Sequence, residues 1–279
     1  MIVYSEIASI KKRIKSFNKG LTIGFVPTMG ALHKGHLSLI KQAVLENDVV
    51  VVSIFVNPTQ FDKKEDLVNY PNTLENDLSL LKSINCDIVF TPNQNEIYDE
   101  NIKSENFDFD GLEFQMEGKF RKGHFNGVGT IVKRLFEIVT PTNAYFGEKD
   151  FQQVQIINKL VEKHKLPVNI IGCEIYREPD GLAMSSRNVR LTKKQRLAAP
   201  FIHKTLLAAK ELFGTKNAAI VIDWVENEFK NHPLLKLEYF EIADEKTLKP
   251  IKKVISGQKY RAFIAIFADE IRLIDNISL

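Results

Sequence analysis

Along the chain, apolar residues recur with two alternating periods. Residues 21–26 form a short apolar run closed by Pro27, Leu37, Leu39, Ile40 and Val44 follow at helical spacing, and 49–56 (VVVVSIFV) is apolar on both faces. That order predicts a strand, a glycine-bearing turn, a helix, and a strand in the interior of a parallel sheet covered on both sides. The alternation continues with a helix over 73–85, a strand over 87–90, a helix over 128–138, a strand over 144–147, a helix over 150–165 and a strand over 168–175. Parallel strands linked through right-handed helical crossovers make a Rossmann-like, doubly wound α/β domain. Beyond DGLAMSSRN (180–188) the pattern changes. Thr192-Lys193-Lys194-Gln195 reads as a capping box opening a long helix, and the strands LEYFEIA (237–243) and YRAFIAIFA (260–268) alternate with few long helices. The expected division is a Rossmann-like domain over 1–184 and a smaller C-terminal α+β domain over 185–279. Residues 91–125 carry charges, asparagines and glycines without strong periodicity, as expected of a long excursion that covers a site.

Composition narrows the function without naming it. With 279 residues, 44% of them hydrophobic and 26% charged, the chain is long enough for a sizeable core. A formal charge of +3 on so many ionisable groups is nearly balanced, so neither a nucleic acid nor a membrane is the expected partner, and any bound anion must be met by a local cluster. Cys86 and Cys173 are far apart and lie in or beside apolar runs, which makes neither a disulfide framework nor a metal knuckle and points to a reducing, cytoplasmic home. The first twenty residues lack an uninterrupted apolar core and a small-residue cleavage site, and no uncharged apolar run approaches membrane-spanning length.

Candidate chemistry lies in five clusters. The first, PTMGALHKGH (27–36), has the glycine spacing of a Walker A loop in Gly30 and Gly35, but His36-Leu37 stands where Lys-Ser or Lys-Thr should follow. It lies where a strand gives way to a helix, the place at which an open α/β sheet binds ligands against free helix N–H groups. His33 and His36 share one face if the helix starts near His33, and so present two donors to developing phosphate charge. Taken alone they are also consistent with a chance pair on a solvated turn. As half of a metal site they lack an HExxH pattern or a carboxylate pair.

The second cluster, GEKDFQQVQ (147–155), is another strand-to-helix transition. There Asp150 and Gln153 fit a helix cap with its capping-box partner, and Lys149 is a mobile cation at the same sheet edge. In DGLAMSSRN, Ser185, Ser186 and Arg187 could clamp a phosphate or serve only as a polar turn capping the next segment. In VNPTQF (56–61), Asn57 and Gln60 place amides at the end of a buried strand, although Asn-Pro is also a plain turn signal. The fifth, EGKFRKGHFNGVG (117–129), holds no dinucleotide fingerprint.

Together and in this order, PTMGALHKGH, SIFVNPTQF, FGEKDFQQ and DGLAMSSRN resemble the pantothenate synthetases, the pantoate–β-alanine ligases. This family lies in the nucleotidyltransferase superfamily, whose H-x-G-H signature is matched by His33-Lys34-Gly35-His36. The resemblance is strong over 21–191 and continues to RLIDN (272–276). It implies a homodimer that uses magnesium and ATP to adenylate pantoate and then passes the pantoyl group to β-alanine. It also implies that Met29, Gly30, Ala31, Leu32, His33, Lys34, Gly35 and His36 line the ATP phosphates, with His36 the proton donor and His33 a transition-state stabiliser. Gly147, Glu148, Lys149 and Asp150 would hold ATP, Lys149 at phosphate and Asp150 at ribose. Gln60 and Gln153 would bind pantoate, Gln60 also lying close to β-alanine, with Asn57 nearby. Met184, Ser185, Ser186 and Arg187 would close on the phosphates, and the backbone near Tyr176 would meet adenine. Magnesium ligands are unassigned. Thr59, Asn72 and Lys122 depart from the common family wording, so no role is assigned to Asn72, and the loop around Arg121 is a possible rather than a firm site. A nucleotidylyltransferase passing AMP to a phosphorylated acceptor would share the H-x-G-H helix but need cations in place of Gln60 and Gln153. A nucleotide sensor without chemistry would not need His36, Lys149 and Ser185-Ser186-Arg187 intact.

Overall fold

The computed structural model describes residues 1–18, 20–61, 64–98, 102–251 and 253–279, and of Lys64 and Asp66 only the backbone. Within the 91–125 excursion, residues 99–101 lie outside the described residues. The chain opens with β1 (Ile2–Tyr4), α1 (Ile7–Lys15), β2 (Ile23–Thr28), α2 (Lys34–Glu46) and β3 (Val49–Ile54). It continues through α3 (Lys64–Val68), α4 (Leu74–Ser83), β4 (Ile88–Phe90), α5 (Gln94–Ile97), α6 (Met116–Phe120), α7 (His124–Val139), β5 (Asn143–Gly147), α8 (Phe151–His164) and β6 (Asn169–Cys173). The six strands form one parallel sheet in the order β1-β4-β3-β2-β5-β6.

Strand alternation sends every second side chain to the opposite face. Phe25, Val49, Val51, Ile88, Phe90, Ala144 and Phe146 point to one face and pack with α1, α7 and α8. Val26, Val50, Val52, Val89 and Tyr145 point to the other and pack with Ile40 and Ala43 of α2 and Leu81 of α4. This two-sided burial accounts for the unbroken valine run of β3.

The order of strands places the topological switch between β2 and β5. They pair only at Gly24↔Asn143 and Phe25↔Ala144, so the sheet opens beyond Phe25. The first strand therefore does not stop at Pro27 as the sequence suggests, but runs to Thr28 alongside β3. Ile23 directs its carbonyl to Thr142 on the β5 side, whereas Thr22 and Thr28 direct theirs to Val49 and Phe55 on the β3 side. Pro27 shares Ile23's parity, so its missing N–H falls where β5 has already diverged and no ladder bond is lost.

The C-terminal part consists of α9 (Lys193–Ala198), α10 (Phe201–Phe213), α11 (Ala218–Lys230) and an antiparallel sheet of β7 (Lys236–Asp244), β8 (Tyr260–Ala268) and β9 (Ile271–Ser278). The expected capping box is present, with Gln195 N donating to Thr192 Oγ1 at 3.3 Å and Thr192 N to Gln195 Oε1 at 2.9 Å. The helix it opens is short, because Pro200 lacks the N–H that would continue it, and α10 starts afresh after it. The 13-residue α11 was not expected, although Asn217 caps it and Ala218, Val221, Val225 and Phe229 are its buried stripe. One face of the small sheet packs on α10 and α11 through Phe240, Ile264, Ile266 and Leu273. From its other face Phe263 and Ala243 enter the core of the first sheet, and the Phe263 ring lies 6.0 Å from that of Phe151 at the start of α8.

Candidate active site

The crevice opened by β2 and β5 is a cleft of about 260 Å³ with the two strand-to-helix turns in its wall. In the first turn, Gly30 and Ala31 take left-handed backbone conformations with φ of 80° and 51°. The N–H groups of Ala31 and Leu32 would face inward without partners but for Asp77 on α4, which is 1% exposed. Its carboxylate accepts from Ala31 N at 2.9 Å and Leu32 N at 2.8 Å, and from Thr73 Oγ1 at 3.1 and 3.2 Å.

His33 then caps α2 in extended geometry, and the rings of His33 and His36 stack with centroids 3.9 Å apart. A side chain at residue 35 would place its Cβ 3.0 Å from two atoms of the His33 ring, so any other residue there would press on the stacked pair. Burial lowers both imidazoles, His33 to about 4 with Lys149 adding to the effect, and His36 to about 3 with His33 and Lys149 adding. Both are neutral at pH 7. His36 Nδ1 accepts from the His33 backbone N–H at 3.4 Å, which leaves the proton on Nε2. His33 Nδ1 is buried with no partner among the described residues.

Across the crevice, Asp150 stands at the N-terminus of α8, but its side chain makes no cap bond, and the expected pairing of Asp150 with Gln153 is not formed. A short 3₁₀ turn over Glu148–Asp150 precedes the helix and carries the aspartate off the capping position's usual course. Lys149 Nζ lies 3.9 Å from Asp150 Oδ1, and both line the cleft with Gln153.

The amides come from a 3₁₀ turn, Pro58–Gln60, wedged against α7. Its close approach requires Gly127, where a Cβ would lie 2.2 Å from the Thr59 carbonyl oxygen. Gln60 points its amide at Met29 Sδ, 3.1 Å away. Asn57 is 1% exposed and stands behind it, donating to Gln60 Oε1 at 3.1 Å and Gly127 O at 3.2 Å while accepting from Tyr98 Oη at 2.5 Å. The unusual Thr59 joins the same net through its hydroxyl, 3.0 Å from Tyr98 Oη. Arg121 and His124 also line this wall. Arg121 Nη1 is 3.1 Å from His124 Nε2, and His124 Nδ1 is 2.8 Å from the Gln60 carbonyl. Burial, with Arg121 beside it, lowers His124 to about 4.

A hairpin closed by Met184 N donating to Tyr176 O at 2.9 Å leads into 185–187, where Ser185 Oγ accepts from Arg187 N at 3.2 Å. Tyr176, Met184, Ser185, Ser186 and Arg187 all reach the cleft.

Of the residues singled out from sequence, Met29, His33, Gly35, His36, Asn57, Gln60, Gly147, Lys149, Asp150, Gln153, Tyr176 and 184–187 line this one cleft. Gly30, Ala31 and Leu32 shape the first turn from behind, Lys34 is exposed at the start of α2, and Glu148 turns away toward Arg261, 3.4 Å distant. Asp77 was missed, and within the fifth cluster Arg121 was only a possible site residue and His124 was given no role. The signal for Asp77 was a lone carboxylate on the apolar side of a helix pattern, beside Leu78 and Leu81.

The family model described as Pantoate-beta-alanine ligase matches residues 2–278. Among curated relatives, the pantothenate synthetase of Christiangramia forsetii is 60% identical over 269 residues, covering 96% of this chain and 94% of its own. That of Flavobacterium psychrophilum is 56% identical over 281 residues, covering 100% of both chains. Among solved structures, the pantothenate synthetase of Thermus thermophilus superimposes with a TM-score of 0.91 at 39% identity over 99% of each chain. A pantoate-beta-alanine ligase from Francisella tularensis, solved in complex with beta-gamma ATP and beta-alanine, gives 0.81 at 38% identity over 100% of this chain and 97% of that one.

Proposed function

The chain belongs to the pantoate-beta-alanine ligase family, and from that premise we propose how its cleft divides the work of ligation. Pantoate's carboxylate attacks the α-phosphorus of ATP, the new P–O bond forming as the bond to pyrophosphate breaks. The amine of β-alanine then attacks the acyl carbon of the held adenylate, AMP leaves with the anhydride oxygen, and the nitrogen sheds its proton to give pantothenate. Neither step requires a covalent bond to the protein.

The observation that carries the reading is the contrast of chemistry within one cleft: neutral imidazoles, Lys149 and the 185–187 turn beside the uncharged amides of Gln60 and Gln153. His36 Nε2–H donates to phosphate oxygen as charge develops, and His33 supports it through the stack. Being neutral, they contribute directed N–H dipoles in a partly dry site, where such donors act strongly. Lys149 supplies the full positive charge. Gln153, whose amide makes no hydrogen bond among the described residues, and Gln60 take pantoate's hydroxyls and carboxylate, Gln60 also meeting β-alanine, with Asn57 holding Gln60 in place. The ribose meets Asp150 and adenine the backbone near Tyr176. A phosphorylated acceptor would call for cations where these amides stand, which disfavours a nucleotidylyltransferase.

Among the described residues no group of three or more histidine, cysteine or acidic side chains forms a metal cage. This fits magnesium, which is commonly held by substrate phosphates with one or two carboxylates. Asp150 and Glu174 are the carboxylates among the described cleft residues, and the ion would supply neutralisation of phosphate charge. The mixed anhydride must be kept from water, and residues 185–279, as a lid entered through 185–187, together with the 91–125 excursion, are suited to that task. We place the enzyme in the cytoplasm as a homodimer. Two buried free thiols support the first, and family likeness the second. A mass in solution of one chain would overturn the dimer.

Isotope exchange between pyrophosphate and ATP tests the chemistry. Exchange is expected with pantoate alone and without β-alanine. A folded sample that exchanges only when β-alanine is added would exclude a discrete adenylate.

A further inference from the structure

The second turn of the cleft is held from the C-terminal sheet. Asn276 on β9 is 2% exposed, and its side-chain amide donates to the carbonyl of Glu148 at 2.8 Å and to that of Lys149 at 2.9 Å. Its oxygen accepts from Arg261 Nη1 at 2.6 Å. A guanidinium can only donate, so this contact fixes which end of the amide faces the two carbonyls. Arg261 is itself anchored, its Nε donating to Glu245 Oε1 at 2.9 Å and its guanidinium lying 3.9 Å over the ring of Phe151. The neighbouring Asp275, on the opposite face of the strand, takes Arg177 through two bonds of 2.6 and 2.9 Å. Arg177 also donates to Gly181 O at 3.1 Å, inside the hairpin that leads to 185–187.

We infer that Asn276 is a positioning residue for adenylation, one that fixes the backbone beneath Lys149 and so completes the phosphate site only when the C-terminal sheet is docked. The inference rests on the ligase reading above. Its physical basis is the carbonyl pair. Two adjacent carbonyls in a tight turn repel, and a single amide that donates to both fixes their directions, and with them the direction of the Lys149 side chain. Without it the turn keeps its covalent path but samples several lysine orientations, and a cation misplaced by about 1 Å loses a large part of its effect on the transition state. Asp275 does the corresponding work for the hairpin before 185–187. Two consecutive residues of one strand thereby tie both loops to the same support.

The test uses the full chain with Asn276→Asp, which retains the Arg261 contact but turns the donor into an acceptor facing two carbonyls, and Asn276→Ser, which retains a single donor. For Asn276→Asp the expected result is a fall of about tenfold in kcat/KM for ATP in pantoate-dependent exchange, with KM for pantoate changed less than about twofold. In a Lys149→Ala background Asn276→Asp should add less than about a twofold further loss, because its effect runs through that side chain. Equal losses for ATP and pantoate, a fully additive double mutant, or failure of both variants to fold would overturn the inference and assign Asn276 to the fold alone. Direct ATP binding by the same proteins separates this from failure of the ligase reading. If the unmodified chain shows no exchange, the inference stands on a roughly tenfold weaker ATP affinity in Asn276→Asp and falls without it.

Discussion

The turns at 29–36 and 147–150 face each other across the cleft, and they are fixed by opposite chemistry. The first exposes backbone N–H groups and is gripped by an anion, the buried carboxylate of Asp77. The second exposes carbonyls and is gripped by a donor, the amide of Asn276. Asp77 comes from α4, which packs on the same sheet, so the histidine turn is complete once the Rossmann-like part has folded. Asn276 comes from the far sheet, so the lysine turn depends on how that sheet docks. The docking surface is itself partly polar. Glu117 of α6 accepts from Arg272 of β9 at 2.7 Å through both oxygens and from Tyr239 Oη at 2.8 Å. Burial alone would raise this carboxyl, but the Arg272 guanidinium holds it down at about 2. The histidine turn is thus held from within its own sheet's layer, whereas the lysine turn is held from the C-terminal sheet.

The contrast between the two turns can be broken from either side. The largest effect is expected for His36→Ala, which would remove the proposed transition-state donor and should lower pantoate-dependent exchange by about 10²- to 10³-fold, a typical loss for such a donor. Its melting temperature should stay near that of the unmodified chain, and a variant with a much lower melting temperature but unchanged specific activity below it would assign His36 to the fold instead. Asp77→Ala should come next. Each lost charge-assisted bond to Ala31 or Leu32 is worth about 1.5–3 kcal/mol, so the melting temperature and the ATP kinetics should fall together. Unchanged stability would mean that the first turn holds itself, and the contrast with Asn276 would fail.

The smallest effect is a dependence on acid. An unfolded histidine takes up its proton near pH 6.5, whereas His33 and His36 do so in the folded chain only near pH 4 and pH 3. Between those values the unfolded chain binds more protons, so stability is retained above pH 6.5 and falls as the pH drops. Melting curves at about pH 7 and about pH 5 should show this fall, and His36→Ala should reduce it. A melting temperature that rises on acidification would mean that these imidazoles are charged in the fold. In the same window kcat/KM for ATP should show no inflection near 6.5 from either residue.

Much of this was legible in the sequence because it is carried by short-range patterns. The valine run of β3, the helical spacing after His36 and the capping box at Thr192 each report on residues a few positions apart. The H-x-G-H turn could be read for the same reason, since Gly35 packs tightly against a ring only two residues away. The partners of these turns were not legible. Asp77 shows only as a carboxylate on the apolar side of a helix pattern, and RLIDN only as the far end of the family resemblance, and neither says which turn it meets. Pro27 misled because its cost depends on whether a neighbouring strand is present on one side, which no local pattern records. The long helix expected after Thr192 is broken at Pro200, and the Asp150–Gln153 spacing fitted a cap that the preceding 3₁₀ turn withdraws.

The sequence by itself determined the alternating α/β architecture, the family, and which side chains stand at the ends of the first and fourth strands of the alternation, because period and motif depend on neighbours along the chain. Only the tertiary structure decided that His33 and His36 are neutral, that Asn57 stands behind Gln60, and that Asp77 and Asn276 fix the two turns. Those properties come from desolvation and from hydrogen bonds that reach far along the chain, from Leu32 to Asp77, from Asn57 to Gly127 and from Glu148 to Asn276, and nothing in a linear order specifies which distant groups will share a buried space.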